Sequence, residues 1–481
     1  MADFLILLSY KHGGNTLRER RTIMGYTVIQ RIISRDDDLY EYLDNNARKA
    51  KLLYNAALFR VRNAFTGHDK EHRTANEQQV FDEIDNLHQV YPNINVRRVL
   101  SYKALEKMMR VTENPDFFAS LPSHTAQHVV MQAVTDFRNW LKACRKFKKN
   151  PELFTGKPRM PGYKKNNVCT YEFSNQMSVL RNDEKGTFLT LPLKRDRLYF
   201  SNLSEDARLK NVVIKPYYGR YLMCLTVEEP DTRITSNAGP NVCAVDFGVK
   251  NFAAIVCNDE TSALYKGGAI LSNKQWLYKQ KAKLTSIITK GHKKRHVCSR
   301  KLDDLSYHGA NFVKDQCHKI SSSIISYCIE HNAGTLVLGV NRYWKQNSNM
   351  GRIKNQNFVS MPITILRKMI TYKAMKAGIR VIEQEESYTS KADITSMDYI
   401  PTYGVDDEKA DFSGGRIKRG LYHCGNGIII NADCNGAANI MRKALPDAWK
   451  NTRNFEFLAT PKVYGFHEMN PQRISVKGIV A

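Results

Sequence analysis

Residues 242–259 read VCAVDFGVKNFAAIVCND, two apolar runs on either side of a turn that holds Gly248. Short apolar runs joined through a glycine turn predict a β-hairpin. Asp246 closes the first run, between Val245 and Phe247. A charged group in an apolar strand is costly unless it is paired or holds a metal, so Asp246 reads either as a turn former or as a functional acid. Downstream, a basic helical stretch runs from about Asn273 to His331, followed by GTLVLGV (334–340), whose continuous apolarity suits a central strand covered on both faces. MPITILRKMITYKAMKAG (361–378) predicts a helix with Pro362 near its start and Gly378 at its stop. IRVIEQEE (379–386) is a further strand, and NADCNGAANIMRKAL (431–445) a turn entering a helix. Strands alternating with helices from 241 to 444 predict an α/β domain.

Upstream of the hairpin the text changes character. The segments TFLTLPL, LYFSNL and NVVIKPYYGRYLMCLTVEE predict a β domain over 151–236, preceded by the Gly/Pro/Lys-rich loop LFTGKPRMPGYKKNN (153–167). The strand-like YTVIQRIIS (26–34) can join that domain as its first strand, within 25–36, leaving 37–150 as a helical insertion. Leu39, Leu43, Ala47, Leu53, Ala57 and Val61 recur at helical spacing there, and Ser123 is the candidate cap of the last helix. Residues 1–24 read as an extension, and the tail 445–481 carries no reading.

Composition narrows the function. With 481 residues, 42% of them hydrophobic, the chain can build two to four domains and is not mostly disordered. A net charge of +26 points to a polyanionic partner. No apolar run is long enough to span a bilayer, and the first residues lack a secretory pattern, so a soluble, cytoplasmic protein without a membrane partner is expected. The 10 cysteines are scattered with no CxxC pair, which suits reduced thiols.

Two further acidic positions share the α/β region with Asp246. Glu383, Glu385 and Glu386 crowd the end of one strand, and Asp433 stands at the start of the last helix. Each has an ordinary explanation alone, a solvated strand end or a helix cap. Together they offer carboxylates from separate elements, the pattern that metal-dependent phosphodiester cleavage requires.

VDFGVKNFAAI, GTLVLGVNRYWKQ, ESYTSKADITSMDYIP, RIKRGLYH and INADCNGAANIMRKA, in this order, resemble the TnpB family of transposon-encoded nucleases, relatives of the compact type V CRISPR effectors. LPSHTAQHVV and GKPRMPGYK resemble the family's N-terminal half, so the likeness runs over about 25–445. It implies an RNase H-like (RuvC) nuclease domain over 237–444 and an N-terminal β-barrel, wedge-like, that carries a helical recognition domain. It also implies a guide RNA, target double-stranded DNA and one or two Mg²⁺ ions. Asp246 and Asp433 match the first and last RuvC acids. The usual middle acid falls on Gly339, which has no side chain to ligate with; Glu386, immediately before the YTS motif, takes its place, with Glu385 in reserve. Neighbouring strand residues face opposite ways, so the two do not share one metal. The paired cysteines that many members carry are absent, so zinc is not expected, and 395–417 is a loop in its place.

For nucleic acid, the basic text offers Lys157, Arg159 and Lys164 beside Phe154 and Tyr163, then Lys345, and Arg419 ahead of Asp433. The leading expectation is an RNA-guided DNA endonuclease. A CRISPR-associated effector of the same stock, a guided binder that no longer cuts and a plain RNA-binding protein are the alternatives. Oligomeric state is open.

Overall fold

The structure, a computed structural model, describes residues 24–118, 121–194, 196–201, 203, 206–230, 239–290, 299–341, 361–402, 404–466 and 468–469. The chain divides into two compact units at 231/232.

In the first unit β1 (Met24–Ile33) pairs antiparallel along its whole length with β7 (Arg220–Pro230). With β6 (Arg208–Tyr217) and β2 (Tyr171–Ser174) they form a sheet ordered β1-β7-β6-β2. Between β1 and β2 the chain makes α1 (Tyr40–Gly67), α2 (Ala75–Val90), α3 (Tyr102–Val111), the single turn α4 (Pro115–Phe118) and α5 (Ser123–Lys149). A small sheet of β3 (Val179–Asp183), β4 (Gly186–Thr190) and β5 (Leu198–Tyr199) follows. α1 buries Leu43, Ala47, Ala50, Tyr54, Leu58 and Val61, one stripe at helical spacing. Ser123 is the first helical residue of α5, and its predecessor Pro122 supplies no side-chain cap, which corrects the expected Ser123 cap.

A buried ion pair joins α1 to α2. Arg60 Nε and Nη2 donate to Glu83 Oε2 and Oε1 at 2.7 and 2.9 Å, with side chains only 8% and 11% exposed. Removing one partner strands the other charge in the core, so Glu83→Ala should cost about 3 kcal/mol. A denaturant melt of the variant tests this, and a loss under 1 kcal/mol would contradict it.

The loop after α5 is tied to the helices through its backbone. Arg62 donates to Pro161 O at 2.7 Å and Trp140 Nε1 to Pro158 O at 3.2 Å. Asn55 donates to Lys164 O and accepts from Lys164 N. The loop therefore holds Lys157, Arg159 and Lys164 in solvent on a fixed backbone.

The second unit is built on β8 (Asn241–Asp246), β9 (Asn251–Cys257) and β10 (Thr261–Lys266), an antiparallel meander whose first turn is the hairpin read from the sequence. After α6 (Gly268–Thr289) and α7 (Arg300–Glu330), β11 (Ala333–Val340) returns parallel to β8 on its other side. α8 (Ile363–Lys376) then leads to β12 (Arg380–Glu385), parallel to β11. The order β12-β11-β8-β9-β10, with only β9 reversed, is that of the RNase H-like fold. Along β8, Cys243 and Val245 face the core under α7 and α8, while Ala244 faces the core under α9 (Ala432–Ala444).

Two features depart from the sequence reading. Past 445, a segment without an assignment adds β16 (Lys462–Tyr464) parallel to β10. It also buries Trp449, whose Nε1 donates to Ala438 O at 3.0 Å. The 395–417 segment is not a plain loop. Its end forms β13 (Gly415–Lys418), which pairs with β14 (Leu421–His423) and through it β15 (Ile429–Asn431). Just ahead of it the fully buried Asp393 ties its start to this hairpin, Oδ1 accepting from Thr395 N at 2.8 Å and Oδ2 from Gly425 N at 2.6 Å. Asp398 Oδ2 accepts from Asp393 N and Ser413 N at 2.8 and 3.0 Å. Among the described residues no helix is long and apolar enough to cross a membrane.

Candidate active site

The three parallel strands β8, β11 and β12 end on one edge of the sheet. Val245 is level with Leu338, and Val340 with Glu385, so Asp246, the last residue of β8, and Glu386, the residue after β12, stand at the ends of strands that flank β11. Between them, at the position level with Asp246, stands Gly339. A Cβ added to Gly339 would lie 2.8 Å from Glu386 Oε2 and 2.7 Å from Ile440 Cδ1. The carboxylate of Glu386 therefore occupies the space a β11 side chain would fill. Asp246 is received by a second glycine, since a Cβ on Gly436 of α9 would lie 2.9 Å from Asp246 Oδ2.

Asp433 enters from the first turn of α9. Asn431 caps that helix, its Oδ1 accepting from the amides of Asp433 and Cys434 at 3.0 and 3.1 Å. The Asp433 side chain is thus released from capping. Its Oδ2 accepts from Asn251 Nδ2 at 2.6 Å, and its Oδ1 lies 3.7 Å from Arg416 Nη2.

The electrostatics separate these acids from their neighbours. Burial, followed by the charges of Glu386 and Asp433, pushes the Asp246 carboxyl well above the usual carboxylate range, against weaker pulls from the Phe247 amide and Arg416. Burial and the charge of Glu385 push Glu386 up to about 7, opposed by Arg367. Glu385 behaves in the opposite way. Burial would raise it, but Lys443 at 2.9 Å and the Ser387 hydroxyl and amide at 2.7 and 2.6 Å hold it below its ordinary value. Of the adjacent glutamates, Glu386 acts on Asp246 together with Asp433, and Glu385 is ion-paired to Lys443.

These donors fit a magnesium ion in kind. Hard carboxylate oxygens in mutual repulsion are relieved by a divalent cation, and Mg²⁺ characteristically takes one or two carboxylates and fills its shell with water and phosphate oxygens. Among the described residues no three His, Cys, Asp or Glu side chains stand close enough to enclose an ion by themselves.

Arg419 is exposed in the β13–β14 turn, and it is Arg416, three residues earlier, that reaches Asp433. Lys157, Arg159 and Lys164 belong to the first unit, and Lys345 lies outside the described residues. Asn251, Arg416, Gly436 and Lys443 were not singled out from sequence. The run NGAAN carried a signal for Gly436, because small residues on a buried helix permit close approach.

Residues 223–344 match a family described as probable transposase (OrfB_IS605), and residues 364–440 match the Cas12f1-like TNB domain. The first stretch contains Asp246 and Gly339, the second Glu386 and Asp433. These stretches are similar to the TnpB and compact type V proteins. The TnpB-like protein ORF457 of Acidianus two-tailed virus is 26% identical over 228 residues, 45% of this chain and 45% of that protein. The CRISPR-associated endodeoxyribonuclease Cas12f2 of Micrarchaeota archaeon (strain CG1_02_47_40) is 28% identical over 137 residues, 27% of this chain and 23% of that protein. The chain thus spans less than half the length of either protein it matches. A solved cryo-EM structure of a Cas12f1-sgRNA-target DNA complex superposes weakly, with a TM-score of 0.44 and 12% identity over 84% of this chain and 82% of that one.

The raised carboxyl of Glu386 has a consequence for stability. A carboxyl that holds its proton more tightly when folded than when unfolded loses stability as pH rises from its ordinary value through the folded one, here from 4.5 to about 7. Glu386→Gln removes that loss. Without divalent metal at pH 8 the variant should be more stable than wild type by about 1–2 kcal/mol, with partial solvation of the group reducing the full effect. The gap should close toward pH 5. Thermal melts across this range test it, and equal melting at pH 8 would contradict it.

Proposed function

We propose that this chain is an RNA-guided DNA endonuclease that cuts guide-complementary double-stranded DNA at a single RuvC-like site. The observation that carries the reading is the placement of Glu386 over Gly339, which supplies a carboxylate beside Asp246 where β11 has none. Asp246, Glu386 and Asp433 would hold one or two Mg²⁺ ions, and no zinc centre is part of the proposal. Bound Mg²⁺ supplies Lewis-acid activation of water and stabilisation of the departing oxygen.

The chain's own groups do the rest. Asp246 and Glu386, whose proton affinity is raised, would release their protons to solvent on holding a cation. Asp433 keeps one oxygen engaged by Asn251 and turns the other toward Arg416. Arg416, 46% exposed, can meet a phosphate oxygen of the strand to be cut. The first unit, a wedge-like β domain with its helical recognition insertion, would hold guide RNA and the guide–target duplex. Lys157, Arg159 and Lys164 on their fixed loop, with Lys345 and Arg419, would meet phosphates. Pairing would read the sequence, while protein reads shape and a short adjacent motif. The protein would act inside a prokaryotic cell.

The test is cleavage of a randomised plasmid library by protein purified with co-expressed RNA, with Mg²⁺ or with EDTA. Metal-dependent cuts at guide-matched sites are expected. Guide-dependent binding without cuts would instead assign a guided binder, and RNA binding without target recognition a plain RNA-binding protein.

A further inference from the structure

The β9–β10 ladder carries an irregularity at its end nearest the acids. Ala263, Leu264 and Tyr265 pair in step with Ile255, Ala254 and Ala253, and the next pair in step would be Lys266 with Phe252. A bulge between Tyr265 and Lys266 skips Phe252 and sets Lys266 opposite Asn251. A bulge of this kind turns a side chain to the other face of its strand. Lys266 Nζ consequently donates to Asn251 Oδ1 at 2.8 Å, while Asn251 Nδ2 donates to Asp433 Oδ2 at 2.6 Å.

The chemistry of this chain of bonds is directional. An amide has one accepting end and one donating end, and a lysine can only donate. Lys266 therefore forces the oxygen of Asn251 toward itself and the NH₂ toward Asp433. Asn251 is 6% exposed, so the amide has little access to water as an alternative partner. Without the ammonium the Asn251 oxygen loses its donor, and the amide is held at its Asp433 end alone.

We propose that Lys266 and Asn251 form a positioning relay that locks the Asp433 carboxylate, committing Oδ2 to the protein and presenting Oδ1 to the cation and its phosphate. This rests on the reading of the acids as a metal centre. Neither residue touches the reacting atoms, so both act through Asp433. Groups that orient a ligating carboxylate characteristically change metal affinity 10- to 100-fold when removed.

The test uses the full chain with its co-purified RNA and reads Mn²⁺ binding by electron paramagnetic resonance, alongside the Mg²⁺ concentration for half-maximal cleavage. Lys266→Met and Asn251→Leu, on different strands, should each weaken Mn²⁺ binding and raise the Mg²⁺ requirement about 10-fold. Lys266→Arg, which keeps the donor, should lie near wild type. Lys266 is only half-buried, so its variants test the relay without emptying the core. Unchanged Mn²⁺ affinity in both Lys266→Met and Asn251→Leu would overturn the relay. Wild-type binding that Asp433→Asn fails to alter would overturn the metal-centre reading and the relay with it. Binding is read whether or not DNA is cut, so the two failures are distinct.

Discussion

Asp246→Ala is expected to lower guided cleavage on the order of 10⁴-fold, with guide RNA still bound and the fold kept. The loss follows from position. Asp246 ends β8, the strand flanked by β9 and β11, and its carboxylate lies against Gly436, where no other side chain can replace it. The fold survives because the residue is an electrostatic burden, with burial and two nearby carboxylates disfavouring its ionised form. Glu386→Ala should match it. Glu385→Ala should stay within about tenfold of wild type, because its carboxylate is committed to Lys443 and Ser387. Plasmid cleavage at saturating Mg²⁺, with RNA retention as the control, separates these outcomes. Cutting by Asp246→Ala, or equal loss in Glu385→Ala and Glu386→Ala, would overturn the assignment.

The parts of this site legible in sequence are those governed by short-range rules. Apolar runs around Gly248 specify the hairpin, and strand alternation separates Glu385 from Glu386. A polar residue ahead of a small-residue helix places Asp433 in a first turn. Features set by tertiary contact were not legible. The bulge at Phe252 that sets Lys266 opposite Asn251 has no marker in KNFAA, since it arises from how two strands are held in register. β16 is three residues long and owes its place to β10 and to the stacked Tyr265 and Tyr464 rings, 5.0 Å apart. Arg416 and Arg419 are equally basic in the text. Only their places in the hairpin distinguish them: Arg416 lies in β13 and reaches Asp433, while Arg419 falls in the turn.

Gly339→Ala should separate activity from stability most sharply. The added methyl would meet Glu386 Oε2 at 2.8 Å, Ile440 Cδ1 at 2.7 Å and Val245 O at 3.3 Å. The two closest atoms are the far ends of flexible side chains, so the unit can yield by moving them, and a stability change within about 1 kcal/mol is expected. What moves, however, is the carboxylate itself. Displacement of a positioned group by about 1 Å costs on the order of 10²-fold in rate, and cleavage should fall by that much. The reciprocal exchange makes the inference stricter. Gly339→Glu combined with Glu386→Ala returns a carboxylate to the same space from β11, in register beside Asp246. The double variant should cut faster than Glu386→Ala alone, while Gly339→Glu in the presence of Glu386 should cut poorly, because two carboxylates then compete for one space. If Gly339→Ala cuts like wild type, the carboxylate is not required where the fold now holds it. If the exchange restores nothing, the site depends on Glu386 for more than the placement of a charge, and the equivalence between the two strand ends fails.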